Sequence, residues 1–432
     1  MREGRTLSVC PVCQKRIPAE RVLIGGDVYL KKRCSEHGEF SAIIWRGDSP
    51  SFDIWWSYNQ TAKALTSDCP NACGLCRSHL NKTCCALVEI TSRCNLKCPV
   101  CFAESGGESS EPSVSELFEI FKKLADEGNT FVQLSGGEPT VRRDLPEIIE
   151  AARRAGCDTV QLNSNGLRIG REPGYAKELA DAGLSFVFMQ FDGVTEAPYA
   201  ALRGENLLGD KLRAIDECGG CGLGVTLVPT LVPRVNGNEI GAIVELACSR
   251  SPVVRGVHFQ PVSYFGRYPQ PPRDEDRITI PEVLTAIETQ TGGKFKIGDF
   301  IPSSCDHPRC GFHGDFVILP HGKIMKLTKK YDPDACCCVA PEQSDAHLKN
   351  RAFVARRWKR SVRDERAPAD ISGDAPDMSA FLSRVKSHGF TVTAMAFQDA
   401  WTLELERLRK CSLHVISDGK TVPFCANYLT GL

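Results

Sequence analysis

The sequence predicts an α/β protein in which six strand–helix units form a partial barrel, with small cysteine-rich modules on either side. Three observations lead to this prediction. Apolar, strand-like runs alternate with helical runs between about residues 86 and 295. The chain carries 22 cysteines among 432 residues, far more than an ordinary globular protein. Many of these cysteines occur in short, regular spacings that are typical of metal sites.

The composition is consistent with a large globular core and several appended modules. We expect four segments: a metal-binding module (1–60), a cysteine-rich segment (61–85), the partial barrel (86–295) and a C-terminal region (296–432). The net charge of zero gives no indication of a nucleic-acid partner. No apolar run resembles a signal peptide or is long enough to cross a bilayer. We therefore expect a cytoplasmic, oxygen-sensitive protein whose cysteines bind metal instead of forming disulfides.

The first module predicts a mononuclear iron or zinc site. A Cys-x-x-Cys pair is followed by a hairpin-like stretch that turns at Gly25-Gly26, and then by a third cysteine and a histidine. This pattern is typical of a zinc ribbon or a rubredoxin, and free cysteines in turns are the alternative. A tetrahedral metal would organise a segment that is too small to fold on its own core. The predicted ligands are Cys10, Cys13, Cys34 and His37.

The central segment predicts a parallel sheet with right-handed crossovers. The strand-like runs are Ala86–Thr91, Phe131–Leu134, Thr159–Asn163, Ser185–Gln190, Val225–Leu231 and Val254–Gln260. The helical runs between them are Val114–Ala125, Leu145–Ala155, Tyr175–Ala182, Lys211–Cys218 and Glu239–Cys248. Six such units close only part of a barrel. Functional side chains are expected at the carboxyl ends of the strands, as in complete barrels.

A CxxxCxxC loop directly follows the first of these strands, and its cysteines are Cys94, Cys98 and Cys101. Three thiolates at this spacing can hold three irons of a [4Fe–4S] cluster, which leaves the fourth iron without a protein ligand. A structural zinc normally takes four ligands in a closed tetrahedron, and this loop supplies only three. The loop therefore predicts a cluster that can bind a small molecule at its open iron.

With Val100 at the variable apolar position, this loop resembles the signature of the radical S-adenosylmethionine (SAM) enzymes. The resemblance implies a partial (β/α)6 radical SAM barrel whose gap admits bulky substrates. It also implies that SAM chelates the open iron and is reductively cleaved to a 5′-deoxyadenosyl radical, which removes hydrogen from an unactivated carbon. The product would carry a new C–C or C–S bond or a methyl group. A ferredoxin or flavodoxin would supply the electron.

The strand ends contain further motifs that resemble the SAM pocket of this family. The second strand runs into a GGEP motif, in which glycines allow close backbone approach and proline stiffens the exit. Polar residues also end the third and fourth strands. Asp192 has two possible roles, which the sequence does not distinguish. It orients the ribose or the substrate, or it caps the following helix. The predicted pocket residues are Gly136, Gly137, Glu138, Pro139, Asn163, Asn165 and Asp192.

A second CxxxCxxC precedes the barrel and resembles a subfamily that includes the tetraether lipid synthases and related pterin methylases. The similarity extends over nearly the whole chain, most closely to a group of radical SAM (seleno)proteins called TrsS. It implies a lipid or pterin-like small-molecule substrate. It also implies an auxiliary [4Fe–4S] cluster, closed by four thiolates and acting as an electron relay, with Cys69, Cys73, Cys76 and Cys84 as its ligands.

A third cysteine set in the C-terminal region is predicted to hold one more auxiliary cluster, although the sequence does not select its ligands. The candidates are Cys305, Cys310, Cys336, Cys337, Cys338, Cys411 and Cys425. Adjacent cysteines point in different directions, so the whole triplet cannot bind one metal. A protein without SAM cleavage, acting in electron transfer or metal sensing through several closed clusters, is the alternative function. Such a protein would have no need of the GGEP motif.

Overall fold

The computed structural model of the chain describes residues 4–57, 69–70, 75–76, 78–106, 111–303, 305–328, 346–358, 378–417 and 419–430. Two parts of the predicted metal sites, Cys73 and Cys336–Cys338, lie outside these described residues. In the described ranges, no helix combines the length and the apolar character needed to span a lipid bilayer.

The strands fall into an antiparallel ribbon at the start of the chain and one large mixed sheet. In chain order they are β1 (Arg5–Val9), β2 (Arg16–Ile24), β3 (Asp27–Cys34), β4 (Gly38–Trp45), β5 (Cys85–Thr91), β6 (Phe131–Gly136), β7 (Thr159–Ser164), β8 (Phe186–Gln190), β9 (Gly224–Val228), β10 (Thr230–Leu231), β11 (Val254–Pro261), β12 (Ile301–Pro302), β13 (Gly311–Ile318), β14 (Ile324–Lys326), β15 (Gly389–Met395), β16 (Leu413–Ser417) and β17 (Lys420–Pro423).

The helices mostly alternate with the strands of the large sheet. They are α1 (Phe52–Ser57), α2 (Val114–Asp126), α3 (Leu145–Arg154), α4 (Leu167–Arg171), α5 (Tyr175–Asp181), α6 (Ala197–Arg203), α7 (Leu208–Gly220), α8 (Ile240–Ser249), α9 (Ile280–Gln290), α10 (Ala346–Trp358), α11 (Met378–Ser387), α12 (Leu405–Leu408) and α13 (Phe424–Asn427).

The six predicted strand–helix units form a parallel sheet in the order β5-β6-β7-β8-β9-β11, which confirms the predicted partial barrel. Their apolar side chains and those of the covering helices make up the main core. The predicted run Val225–Leu231 is divided into β9 and β10 at Pro229. Proline has no backbone N–H, so it cannot donate to a neighbouring strand at that point.

The C-terminal region extends both edges of this six-stranded unit. β15 pairs parallel to β11, and β16 pairs parallel to β5. β13 and β17 then add antiparallel strands outside them. Eight strands along the main path of the sheet therefore run parallel, two more than the six that the sequence predicts. These additions cover sheet edges whose unpaired backbone groups would otherwise be exposed.

The ribbon at the start of the chain is a four-stranded antiparallel sheet in the order β1-β2-β3-β4. The predicted hairpin is present, and its turn residues Gly25 and Gly26 have φ angles of 61° and 94°. Both positive angles suit a tight two-residue turn, which strongly favours glycine. Val28 and Trp45 of the ribbon belong to the main core, so the ribbon packs directly on the barrel.

Candidate functional site

The CxxxCxxC loop leaves the carboxyl end of β5 and enters a cavity inside the barrel. Cys94, Cys98 and Cys101 all line this cavity, whose volume is about 710 Å³. Burial is the main cause that raises the pKa of the Cys94 thiol. A metal must displace that proton, because the thiolate is the form that binds. Three thiols facing one cavity are a donor set that fits a [4Fe–4S] cluster with one open iron.

The cluster loop is fixed from the far side of the barrel by Gly266 and Arg267, beyond the end of β11. Cys101 and Arg267 form an isolated backbone bridge with N–H···O distances of 2.9 and 3.0 Å. The Arg267 Nε donates to the Cys98 carbonyl at 3.0 Å, and Nη1 donates to the Ser105 carbonyl at 3.4 Å. A Cβ on Gly266 would lie 2.7 Å from the Cys101 carbonyl oxygen. These contacts set the position of the loop between the first and sixth units.

The glycines of the GGEP motif allow the exit of β6 to touch the backbone of the cluster loop. A Cβ on Gly136 would lie 2.1 Å from the Thr91 carbonyl oxygen, and one on Gly137 would lie 2.2 Å from that of Arg93. The Gly137 and Glu138 amides donate to these two carbonyls at 2.8 and 2.9 Å. No other residue type fits at either glycine, which explains the motif in steric terms.

Glu138 joins the second and third units of the barrel at this cavity. Its carboxylate accepts hydrogen bonds from the Thr140 hydroxyl at 2.6 Å, the Ser164 hydroxyl at 2.7 Å and the Asn165 backbone amide at 2.6 Å. The Asn165 side-chain amide in turn donates to Asn95 of the cluster loop at 2.7 Å. Asn163 lines the cavity and donates to Ser135 at 3.1 Å. The structure thus brings the predicted pocket residues of these two strands together.

Asp192 lies behind the cavity wall instead of facing the cavity, and it caps no helix. Its fully buried carboxylate pairs with the Arg203 guanidinium at 2.7 and 2.8 Å. Arg203 itself lines the cavity. Burial disfavours its cation, but Asp192 and then the Cys98 thiol outweigh burial and raise the pKa of Arg203. The strand-end pattern of the sequence indicates Asp192, but it gives no sign of the cation that Asp192 positions.

Lys211 is a second cation that the sequence did not indicate. Its ammonium group is fully buried and donates to the Gln190 side chain at 2.8 Å and to the Asn165 carbonyl. Burial lowers the pKa of Lys211 to about 8, with Asp192 acting in the opposite direction. Arg203 lies on α6 and Lys211 lies on α7. A single basic residue in a helix forms no sequence motif, so neither residue could be recognised as part of a site.

In the ribbon, the structure gathers the four predicted ligands. The ligand atoms of Cys10, Cys13, Cys34 and His37 all lie within 4.8 Å of one another, the one such compact group among the described residues. Hydrogen bonds from the Glu36 backbone and the His37 side chain lower the pKa of Cys34 to about 6. A thiolate is therefore readily available there, and the donor set fits a tetrahedral metal ion.

The described residues of the second cysteine set lie against the C-terminal region. Cys69 and Cys84 are buried and Cys76 is half-buried. The Leu80 amide donates to the Arg409 carbonyl at 2.8 Å, and the Cys84 amide donates to the Ser412 carbonyl at 2.8 Å. The structure places three of the four predicted ligands beside the barrel, and Cys73 falls outside the described residues.

In the third set, Cys310 and Cys425 are buried and Cys411 is half-buried, and the three thiols lie close enough to influence one another. Burial raises the pKa of Cys411 well above its usual value, and the charges of Asp306, Cys425 and Cys310 act in the same direction. The Arg407 guanidinium lies 3.5 Å from the Cys310 sulfur. Cys305 is buried five residues before Cys310. The cysteine triplet that completes the predicted candidates lies outside the described residues.

Known sequence families match two parts of the chain. The family described as the Radical SAM superfamily matches residues 88–247. The family described as the HMPTM N-terminal zinc ribbon domain matches residues 3–46. The first match contains the cluster loop, the GGEP motif and Asp192, and the second contains the compact group of three cysteines and one histidine.

One relative is similar over nearly the whole chain, and others are similar over part of it. The 7,8-dihydro-6-hydroxymethylpterin dimethyltransferase of Methanocaldococcus jannaschii is 34% identical over 98% of this chain and 93% of its own length. The Fe-coproporphyrin III synthase of Methanosarcina barkeri is 36% identical over 37% of this chain and 39% of its own length. Among solved structures, Streptococcus suis SuiB bound to S-adenosylmethionine is 14% identical, with a TM-score of 0.39 over 60% of this chain and 65% of that chain.

Proposed function

Because this chain belongs to the radical SAM superfamily, we propose that Cys94, Cys98 and Cys101 hold its [4Fe–4S] cluster and that the enzyme modifies an unactivated carbon of a substrate bound inside the barrel. The observation that carries this proposal is that the three thiols and the GGEP exit open into one cavity of about 710 Å³. A cluster that served only as an electron relay would not need a cavity large enough for a cofactor and a substrate.

When bound, the cluster and SAM supply the 5′-deoxyadenosyl radical that takes a hydrogen atom from the substrate. The chain's own contribution is to hold these groups and to direct the radical. The Arg203 guanidinium, which the Asp192 carboxylate holds, borders the cavity beside Cys98 and places a positive charge next to the cluster loop. Glu138 and Asn165 fix the cavity wall beside the cluster loop. Asp192 and Lys211 act behind this wall as positioning residues.

The other metal sites complete the proposal. Cys69, Cys73, Cys76 and Cys84 hold an auxiliary [4Fe–4S] cluster, and Cys10, Cys13, Cys34 and His37 hold a mononuclear iron or zinc. Cys310, Cys411 and Cys425 are the described residues best placed for a further cluster, because their thiols lie close enough to affect one another's ionisation. A ferredoxin or flavodoxin is the reductant in this proposal.

The substrate in this proposal is a pterin-like small molecule, and its modification is a methylation or a C–C bond formation. This choice follows the name of the relative from Methanocaldococcus jannaschii, which is similar over nearly all of both chains. A lipid is the alternative that the resemblance to tetraether lipid synthases implies. Incubating the reduced enzyme with each class of substrate and analysing the products by mass spectrometry distinguishes them.

The proposal predicts that anoxically reconstituted protein converts SAM to 5′-deoxyadenosine when dithionite is added. Chromatography measures the product, and the spectrum of the reduced cluster is recorded with and without SAM. Cys98→Ala removes one cluster ligand, so we expect a loss of at least 100-fold in product. Cys248→Ala is the matched control, because Cys248 lies half-buried on α8 outside the cavity and its variant should resemble the wild type.

A verified cluster that yields no 5′-deoxyadenosine, with a spectrum that SAM leaves unchanged, would contradict this proposal. That result would favour the alternative of an electron-transfer or metal-sensing protein with closed clusters.

A further inference from the structure

Uncharged polar side chains from neighbouring strands meet inside the barrel, away from the cluster loop. Gln133 on β6 is paired in register with Gln161 on β7, and both line the cavity. Thr226 on β9 and His258 on β11 line the same cavity from the opposite units. Adjacent strands lie roughly 4.8 Å apart, so the two carboxamides stand side by side on one face of the sheet.

The hydrogen-bonding capacity of these groups is largely unused. Gln161 is 4% exposed and Gln133 is 9% exposed. Among the described residues, the Gln161 carboxamide and the Thr226 hydroxyl have no hydrogen-bond partner. Gln133 accepts only a long contact from the Cys85 thiol, at 3.9 Å. Each carboxamide offers two donors and an acceptor to the cavity that it lines. A ligand with heteroatoms would supply the missing partners.

Aromatic rings stand next to the two carboxamides. Phe186 on β8 is paired in register with Gln161, and Phe188 is paired with Thr226. The rings of Phe188 and His258 lie 5.1 Å apart, and both residues line the cavity. Aromatic faces favour a planar ring stacked on them or packed against their edges. The subsite therefore combines a flat apolar surface with paired donors and acceptors.

The histidine adds no charge to this subsite. Its Nδ1 lies 2.8 Å from the Thr393 hydroxyl, which fixes the orientation of the ring. Burial lowers the pKa of His258 to about 4, so the imidazole is neutral at neutral pH.

We propose that Gln133 and Gln161 are specificity-determining residues that bind the heteroatom edge of a planar nitrogen heterocycle. A lactam or amidine edge presents a donor beside an acceptor, which one carboxamide can match with two hydrogen bonds. A purely hydrocarbon chain would leave both carboxamides unpaired. The inference rests on the proposed function, because it takes this cavity to be the substrate site.

Two probes test the inference on the wild-type full chain, reconstituted with iron and sulfide and saturated with SAM. 6-Hydroxymethylpterin carries the heteroatom edge, whereas 2-naphthalenemethanol has a similar size and flatness without it. Equilibrium binding is followed by fluorescence. We expect the pterin to bind at least tenfold more tightly, since a site built for hydrogen bonds rejects an analogue that lacks them. Equal binding, tighter naphthalene binding, or a saturated fatty alcohol that binds as tightly as the pterin would overturn the inference.

Variants then assign the recognition to these residues. Gln161→Leu and Gln133→Leu keep the approximate volume and remove the amide, so each should weaken pterin binding at least tenfold and leave naphthalene binding within threefold. Gln270→Leu is the matched control, because Gln270 is exposed and lies outside the cavity. Pterin affinity unchanged in both leucine variants would also overturn the inference. If a variant loses its iron, the comparison of the two probes on the wild type still tests whether the subsite recognises the heteroatom edge.

Production of 5′-deoxyadenosine by the wild type is measured in the same samples. Its absence would contradict the proposed SAM chemistry, whereas the probe comparison reports separately on the carboxamide subsite. The two failures are therefore distinguishable.

Discussion

At the scale of single residues, Gly266 holds the cluster loop in place by having no side chain. Its φ is +51°, and a Cβ would lie 2.7 Å from the carbonyl oxygens of both Cys101 and Phe102. We predict that Gly266→Ala displaces the loop and lowers the iron bound at the SAM cluster by at least half. Iron and sulfide analysis, with the spectrum of the reduced cluster, measures the change.

Gly174→Ala is the matched control for this substitution. Gly174 also has a positive φ, +85°, but a Cβ there would meet nothing within 4 Å. Both variants bear the cost of a left-handed alanine, about 1–2 kcal/mol. Only Gly266→Ala adds a collision with the cluster loop. Equal cluster content in the two variants would show that backbone strain alone, and not the approach to Cys101, explains the requirement for glycine.

Other residues of the site show what sequence reasoning can and cannot find. The spacing of Cys94, Cys98 and Cys101 is local, so it can be recognised without a structure. Arg203 and Arg267 act on the same loop from α6 and from beyond β11, more than 100 residues away. A lone arginine shows no spacing or periodicity, and its role depends on contacts that only the folded chain creates.

At the scale of elements, local sequence patterns predict the six barrel units but not the strands that lie beside them. Each barrel strand and its helix form one local unit, and the alternation of apolar patterns predicted them within a few residues. β16 pairs with β5 across more than 300 residues, and β15 pairs with β11 across more than 100. A helix precedes each of these strands, α11 before β15 and α12 before β16, but the strand that each one pairs with lies far away in the sequence. Local patterns therefore could not predict that β15 and β16 extend the parallel sheet.

The ribbon is an element whose folding we expect to depend on metal. Few apolar residues pack around its ligand group: Ile17 is buried there, and Val12 and Phe40 are partly buried. We predict that Cys34→Ser removes one equivalent of mononuclear iron or zinc and makes the segment around residues 5–45 susceptible to protease, because metal binding contributes directly to the stability of such modules. Elemental analysis and limited proteolysis measure the two effects.

The spectrum of the SAM cluster should persist in this variant, since the two sites use separate ligands. Cys248→Ser serves as the control for replacing a half-buried thiol elsewhere. A Cys34→Ser protein that keeps its full metal content and its protease resistance would contradict the assignment of the site.

At the scale of the whole molecule, one buried carboxylate ties the ribbon, the C-terminal region and the third cysteine set together. Glu404 accepts from Arg309 at 2.6 and 2.9 Å and from Arg21 of β2 at 2.5 Å. The side chains of all three residues are at most 5% exposed. Burial opposes the ionised form of Glu404, but Arg309 and Arg21 outweigh it and lower its pKa to about 2. The contribution of this carboxylate to stability is therefore present in full above about pH 4.5 and is lost as the pH falls toward 2.

We predict that Glu404→Gln destabilises the protein by about 3–5 kcal/mol, because it leaves the buried Arg309 guanidinium without its counter-charge and leaves Arg21 with Glu406 alone. Glu406→Gln is the matched control, since Glu406 pairs with the same Arg21 but is 23% exposed, and its loss should cost about 0.5 kcal/mol. Urea unfolding of the reconstituted full chain, compared by transition midpoint, measures both. The gap between wild type and Glu404→Gln should stay constant from pH 5 to pH 8, because Glu404 is ionised throughout that range. A gap that shrinks within this range, or one no larger than that of Glu406→Gln, would show that the carboxylate does not join these parts of the fold as the structure indicates.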